Sequence, residues 1–159
     1  MIKIRKSSLI FASLTALTAI AFVFIIPRLN QPVPQTHSYL ISAGGVSRAI
    51  IQQEYAHSPT GKYSPPRLPH HLDFKAGRGT VDVYVVRFPS GGAVQQVNAM
   101  LNLTEELKAG RPPKEFVARG SGESGRIDLN WWPYGTTKYL VMIHAERESE
   151  VTLVVHYGP

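Results

Sequence analysis

The stretch KYLVMIHAERESEVTLVVHY, residues 138–157, contains two runs of β-branched and other apolar residues that are separated by a short charged connection. Runs of this composition are typical of β-strands, and a connection this short is typical of a hairpin. A three-residue loop at 148–150 would pair Arg147 with Val151 and segregate the two faces of the hairpin. One face would then be apolar, with the side chains of Val141, Ile143, Ala145, Val151, Leu153 and Val155. The sequence therefore predicts a hairpin as the basis of an antiparallel sheet.

Two upstream segments are predicted to be strands of the same sheet. TVDVYVVRF, residues 80–88, has apolar side chains on both faces, which suits an interior strand. GRIDLNWW, residues 125–132, alternates in character, and its expected inward side chains are those of Ile127, Leu129 and Trp131. A short strand at residues 115–120 fits the pattern as well. RGSGESG, residues 119–125, is rich in Gly and Ser and is expected to form a turn between strands.

Two helices are also predicted. Residues 93–110 repeat apolar side chains at helical spacing, and Gly110 beyond Lys108 provides a C-terminal stop. The side chains that define this repeat are those of Val94, Val97, Met100, Leu101 and Leu107. A shorter amphipathic helix is predicted at residues 43–56, and its apolar face is that of Val46, Ala49 and Ile50.

These elements define the expected fold class, α+β. One main helix would pack across a mostly antiparallel sheet of four or so strands, which makes a small domain of two layers. An N-terminal transmembrane helix would precede this domain. The Pro-rich residues 28–42 would form an extended spacer after that helix, and the domain itself would occupy residues 43–159.

Residues 7–27 form an uncharged, largely apolar segment between Lys6 and Arg28. A helix of this length spans roughly 31 Å, which matches the hydrocarbon core of a bilayer. Lys3, Arg5 and Lys6 precede the segment, whereas Arg28 alone directly follows it. Because more positive charge lies before the segment, the N-terminus is expected to stay in the cytoplasm and the C-terminal domain to be exported. The sequence therefore predicts a single-pass signal anchor in the cytoplasmic (inner) membrane, with the domain outside or in a periplasm.

A cleaved signal peptide is the alternative for the same N-terminus. Residues 1–6 supply a basic n-region, and Ala19-Ile20-Ala21 has the small-x-small pattern of a cleavage site. Cleavage after Ala21 would leave a secreted chain that begins with the apolar residues 22–26. Those residues have an obvious role as the outer part of a spanning helix, so the retained anchor is the preferred interpretation.

The net charge of +6 and the pI of about 9.7 do not point to nucleic acid. Four of the 17 Lys and Arg residues flank the apolar segment, which leaves 13 of them against 11 Asp and Glu. Nucleic-acid binding needs a concentrated basic face, and this near balance argues against such a partner. The chain has no Cys, which excludes disulfides and thiolate metal sites.

The segment 57–79 is rich in proline and is expected to be a basic loop rather than a helix or a central strand. A proline-stiffened loop loses little conformational entropy on binding. Its cations are the first candidate binding residues, namely Lys62, Arg67, Lys75 and Arg78. Trp132 and Tyr134 are a second set of candidate binding residues, because exposed large aromatic side chains often mark contact surfaces.

His144 and His156 are the candidate metal ligands. In the register of the three-residue loop they share the polar face of the hairpin, whereas a two-residue turn would place them on opposite faces. Two histidines make half a site at most, and no acidic ligand is expected nearby except Glu146. His70 and His71 are adjacent, so their side chains are expected to point to opposite sides of an extended segment. The sequence therefore predicts neither a bound metal nor another cofactor.

No complete catalytic set is recognisable in the sequence. Ser121 lies between two glycines but lacks the G-x-S-x-G elbow, and Asp82 and Asp128 are a carboxylate pair only if their strands are adjacent. The expected function is that of a membrane-anchored binding or interaction module of the cell envelope. It would contact the bilayer through residues 7–27 and bind another envelope protein or an anionic polymer. The alternative is an exported hydrolase or metal-dependent enzyme.

Overall fold

The computed structural model describes residues 33–55, 66–129 and 138–158. Within those ranges no helix combines the length and the apolar character that crossing a bilayer requires. The predicted membrane anchor at residues 7–27 lies outside the described residues, and it remains a prediction.

The described part of the chain forms ten strands and one helix. In chain order they are β1 (Gln35–Ile41), β2 (Gly45–Gln52), β3 (Glu54–Tyr55), β4 (Pro66–Arg67), β5 (Pro69–Ala76), β6 (Val81–Arg87), α1 (Ala93–Lys108), β7 (Ala118–Gly122), β8 (Ser124–Asp128), β9 (Lys138–Ala145) and β10 (Ser149–Tyr157).

The strands form two antiparallel sheets of four strands each. The first sheet has the order β1-β10-β5-β8, and the second has the order β2-β9-β6-β7, while β3 and β4 make a separate short pair. Buried side chains from both sheets form one hydrophobic core. The domain is therefore mostly β, with one helix packed on it. The prediction of an antiparallel sheet and one main helix is confirmed, whereas the prediction of a single sheet is wrong.

The predicted hairpin of β9 and β10 is wrong, because the two strands belong to different sheets. β9 pairs with β2 and β6, and β10 pairs with β1 and β5. The expected apolar face nevertheless exists as a group in the core, contributed from opposite sheets by Val141, Ile143, Ala145, Val151, Leu153 and Val155. β9 is buried on both faces, because the core covers one face and α1 covers the other.

The helix α1 forms where the sequence predicts it, but of the predicted apolar stripe only Met100 and Leu107 pack on the sheet. Met100, Leu103 and Leu107 pack on the outer face of the second sheet, against Tyr84 and Met142. Thr104 is also buried there, and its Oγ1 donates a hydrogen bond to the Met100 carbonyl oxygen at 2.7 Å. The expected positions Val94, Val97 and Leu101 are exposed instead, with Val94 at 74%.

The predicted helix at residues 43–56 is wrong, because its centre is strand β2. Ala49 and Ile51 are buried, while Arg48 and Ile50 between and beside them are exposed. This period of two is that of a strand with one face on a core. Gly44, with φ of 69°, turns the chain from β1 into β2.

Two proline-rich segments also contain strands. The predicted loop 57–79 includes β5, which lies between β10 and β8 in the first sheet, so the exclusion of a central strand was wrong. Pro69 occupies the first position of β5, where a missing N–H is tolerated. The predicted spacer 28–42 likewise includes β1.

The predicted turn at residues 119–125 is mostly strand. Two of its glycines are there because a neighbouring ring leaves no room for a side chain. An added Cβ on Gly120 would lie 2.7 Å from Phe74 Cε1, and one on Gly125 would lie 2.8 Å from Phe74 Cζ. Both glycines therefore make room for the aromatic ring in the core. Ile127 and Leu129 are buried as predicted, and Trp131 lies outside the described residues.

Candidate functional site

The cations of the predicted basic loop are distributed over separate elements. Arg67 lies in β4, Lys75 is exposed on β5, and Arg78 is exposed in the connection that follows β5. Lys62 lies outside the described residues, as do the aromatic candidates Trp132 and Tyr134. The described cations of the loop are therefore parts of a folded sheet and its edges, and they do not belong to one proline-stiffened loop.

The candidate ligands His144 and His156 are separated by the division into two sheets. His144 lies on β9 opposite Val46 and Asp82, whereas His156 lies on β10 opposite His71. Their predicted common face depended on the hairpin, and it is wrong for the same reason.

The carboxylates Asp82 and Asp128 are separated in the same way. Asp82 lies on β6 in the second sheet and forms a salt bridge with Arg119, Nη2 to Oδ1 at 2.9 Å. Asp128 lies on β8 in the first sheet.

His156 instead meets His71 and Asp73, two residues that the sequence interpretation assigned to the loop. Its Nε2 lies 3.1 Å from Asp73 Oδ2. Its ring stacks on that of His71, with centroids 4.2 Å apart and planes 17° apart. One nitrogen or oxygen atom from each of the three side chains lies within 4.8 Å of the other two. We refer to His71, Asp73 and His156 as the His–Asp cluster.

The strand register brings these three side chains together. His71 and Asp73 are two residues apart on β5, so they share its outer face, and β10 places His156 directly opposite His71. The register then shifts, because Tyr157 pairs with Pro69 and leaves His70 as an extra residue. Such a bulge re-aims side chains. It accounts for the short distance of 3.0 Å between the Nδ1 atoms of His70 and His71, which were expected to diverge.

Arg126 completes the surroundings of Asp73 from the neighbouring strand β8. The two residues are cross-strand partners, and the guanidinium donates from Nε to Oδ1 at 2.7 Å and from Nη2 to Oδ2 at 3.0 Å. The outer face around the cluster also carries Lys75 on β5 and Asp128, which lies opposite His71. Each of these groups stands on a strand, which is a rigid support for a site.

The environment favours neutral His71 and ionised Asp73. Partial burial lowers the pKa of His71, and the positive charges of His156 and Arg126 lower it further, while Asp73 opposes them. The hydrogen bond from Arg126 holds the pKa of Asp73 below its ordinary value, and desolvation opposes this effect. The favoured forms of His71 and Asp73 therefore carry an unprotonated imidazole nitrogen and a carboxylate. Both groups can accept a hydrogen bond or bind a metal ion.

A groove lies beside α1, away from the His–Asp cluster. The groove has a volume of about 470 Å³ and is lined by Val86, Arg87, Leu103, Glu115, Phe116 and Val117. Among the described residues, the His–Asp cluster is the one group of three or more side chains that could hold a metal ion. The cluster is therefore the better candidate site.

Comparison with known proteins adds little to this geometry. No family model matches the chain, and no curated protein matches it. A crystal structure of a protein named PirA aligns with 81% of this chain and 98% of its own, at 11% identity and a TM-score of 0.37. A similarity of this size supports no inference about fold or function.

Proposed function

We propose that the protein is a single-pass, membrane-anchored binding module of the cell envelope, with the His–Asp cluster as its binding site. The observation that carries this proposal is the position of the cluster. It lies on the two central strands of the first sheet, on an outer face that carries Lys75, whereas α1 packs on the second sheet. All three side chains are partly exposed, and His156 contacts both His71 and Asp73.

The predicted N-terminal anchor would hold this site near other components of the membrane. A tether holds a binding domain close to the membrane and raises its effective concentration toward other membrane components. The uncharged segment 7–27 and the cations before it are the sequence features that support this part of the proposal.

The charges around the cluster favour a protein partner. An anionic polymer needs a concentrated basic surface, but here Asp73 and Asp128 stand beside Arg126 and Lys75. Mixed charges of this kind complement the mixed charges of another protein surface. The partner we propose is therefore another protein of the envelope.

Site-specific photo-crosslinking in membranes tests the partner. A photoreactive residue at Thr152, on the outer face of the first sheet beside Lys75, should give a discrete adduct with one envelope protein. The same residue at Glu106, on the exposed side of α1, is the matched control and should give none. His71→Gln should abolish the Thr152 adduct, and His144→Gln should preserve it. An adduct from Glu106 only, or a Thr152 adduct that His71→Gln leaves intact, would contradict the proposed site.

The mass of the chain recovered from membranes tests the anchor. A retained anchor should leave peptides from before Ala21 on a protein that resists alkaline extraction from the membrane. A soluble chain that begins at Phe22 would show the cleaved, secreted form instead.

A further inference from the structure

The His–Asp cluster brings together nitrogen and oxygen atoms of the kinds that bind metal ions. Two imidazoles and one carboxylate converge there, and one ligand atom of each lies within 4.8 Å of the others. Zinc accepts His nitrogen and Asp oxygen, and imidazole also suits Ni²⁺ and Cu²⁺. From this convergence we infer that His71, Asp73 and His156 bind a divalent transition-metal ion of the zinc class. The inference deepens the proposed function, since it rests on the same cluster being the binding site.

The observed spacing is close to that of a bound state. Zinc bonds of about 2.0–2.1 Å place neighbouring ligand atoms of a tetrahedral ion roughly 3.3 Å apart. His156 Nε2 and Asp73 Oδ2 are already 3.1 Å apart. His71 lies directly opposite His156 across the ladder, and its ring has to turn out of the stacked position before a ring nitrogen can point at the same centre.

Outer partners orient two of the three ligands, as is usual around metal sites. His70 Nδ1 lies 3.0 Å from His71 Nδ1 and leaves the other nitrogen of His71 for the ion. Arg126 holds Asp73, and its positive charge opposes a cation. Its side chain is 58% exposed, however, so the guanidinium can keep its bond to Oδ1 and release Oδ2.

Three ligands from this chain leave one position of a tetrahedral ion open. In known sites an open position holds water or a substrate group. A side chain of the proposed partner protein would fill it here, so the ion would form part of the contact between the two proteins.

Calorimetric titration of Zn²⁺ into the untagged, metal-free, full-length protein in detergent at neutral pH tests the inference. Wild type and His144→Gln should each bind one ion with the same affinity. His71→Gln and His156→Gln should each weaken binding by at least about tenfold, because each removes one of three ligands. Circular dichroism of each variant verifies that it is folded. Equal affinity in wild type and folded His71→Gln, or no zinc binding by wild type, would overturn the inference.

A measurement on wild type alone keeps the inference testable if the variants fail to fold. Cu²⁺ bound in the same site should show the nitrogen hyperfine splitting of two imidazoles in its electron paramagnetic resonance spectrum. Splitting from one nitrogen or none would overturn the site. Zinc binding without a Thr152 adduct would reject the protein partner and support the metal site. A Thr152 adduct without zinc binding would support the partner and reject the metal site.

Discussion

At the scale of single residues, the packing of Phe74 depends on two glycines, because only a residue without a Cβ leaves room for its ring. Its ring fills the space beside Gly120 and Gly125, where a Cβ would lie under 3.0 Å from it. The sequence pattern places these glycines in a turn, because Gly and Ser are common in turns. Only the position of Phe74 on a neighbouring strand shows that they belong to strands.

We expect Gly120→Ala and Gly125→Ala each to lower the free energy of unfolding by about 1–3 kcal/mol, the usual cost of overpacking a core. Urea denaturation of the full-length protein measures this change. Gly158→Ala is the matched control, because the nearest atom to its added Cβ is His70 Cβ at 3.5 Å. Equal urea midpoints for all three variants would show that the ring moves aside without cost.

The residues of the candidate site likewise become recognisable as a group only once neighbouring strands are known. His156 was identified from the sequence, and the spacing of His71 and Asp73 in a strand would have placed both on one face. The surrounding prolines hide this signal, because they favour a loop over a central strand. No local pattern, however, relates residue 156 to residues 71 and 73.

At the scale of secondary structure, α1 buries one stripe and exposes another of similar character. Leu107 is 3% exposed and packs with Tyr84, Leu140 and Met142, whereas Leu101 is 46% exposed. Both fit helical spacing, so the sequence predicts the helix but not which stripe faces the sheet. The rotation of the helix about its own axis decides which stripe faces the second sheet.

We expect Leu107→Ala to lower the free energy of unfolding by about 2–5 kcal/mol, because it leaves a cavity under the helix. Leu101→Ala should change it by no more than about 0.5 kcal/mol, as is usual for exposed positions. Both substitutions introduce the strongest helix former, so helix propensity is matched. Urea denaturation separates the two variants, and a larger loss in Leu101→Ala would contradict the observed orientation.

At the scale of the whole molecule, the division into two sheets determines which residues can meet. The connection between β9 and β10 passes from the second sheet to the first. It therefore separates His144 from His156 and places His156 beside β5. Both the separation of His144 from His156, which were expected on one face, and the assembly of the observed cluster follow from this one connection.

Engineered disulfides test this topology in a chain that has no native Cys. Lys75→Cys combined with Thr152→Cys should form a disulfide under mild oxidation, because the two residues are paired across β5 and β10. His144→Cys combined with Val154→Cys should form none. Those two residues would be paired in the predicted hairpin, but they lie in different sheets, which pack about 10 Å apart, and a disulfide needs Cα atoms within about 7 Å. Mass spectrometry distinguishes the products, and the opposite outcome would restore the hairpin.

The sequence by itself determined the properties that depend on neighbours in the chain. These are the strand within residues 80–88, the helix α1 and the apolar positions of β9 and β10. Tertiary structure alone decided which strands pair, which face of α1 is buried and which residues surround His156. The physical reason is that hydrophobic burial is non-directional, so an apolar face can be covered equally well by several partners. Packing of the whole chain selects among them, and the His–Asp cluster exists only after that selection.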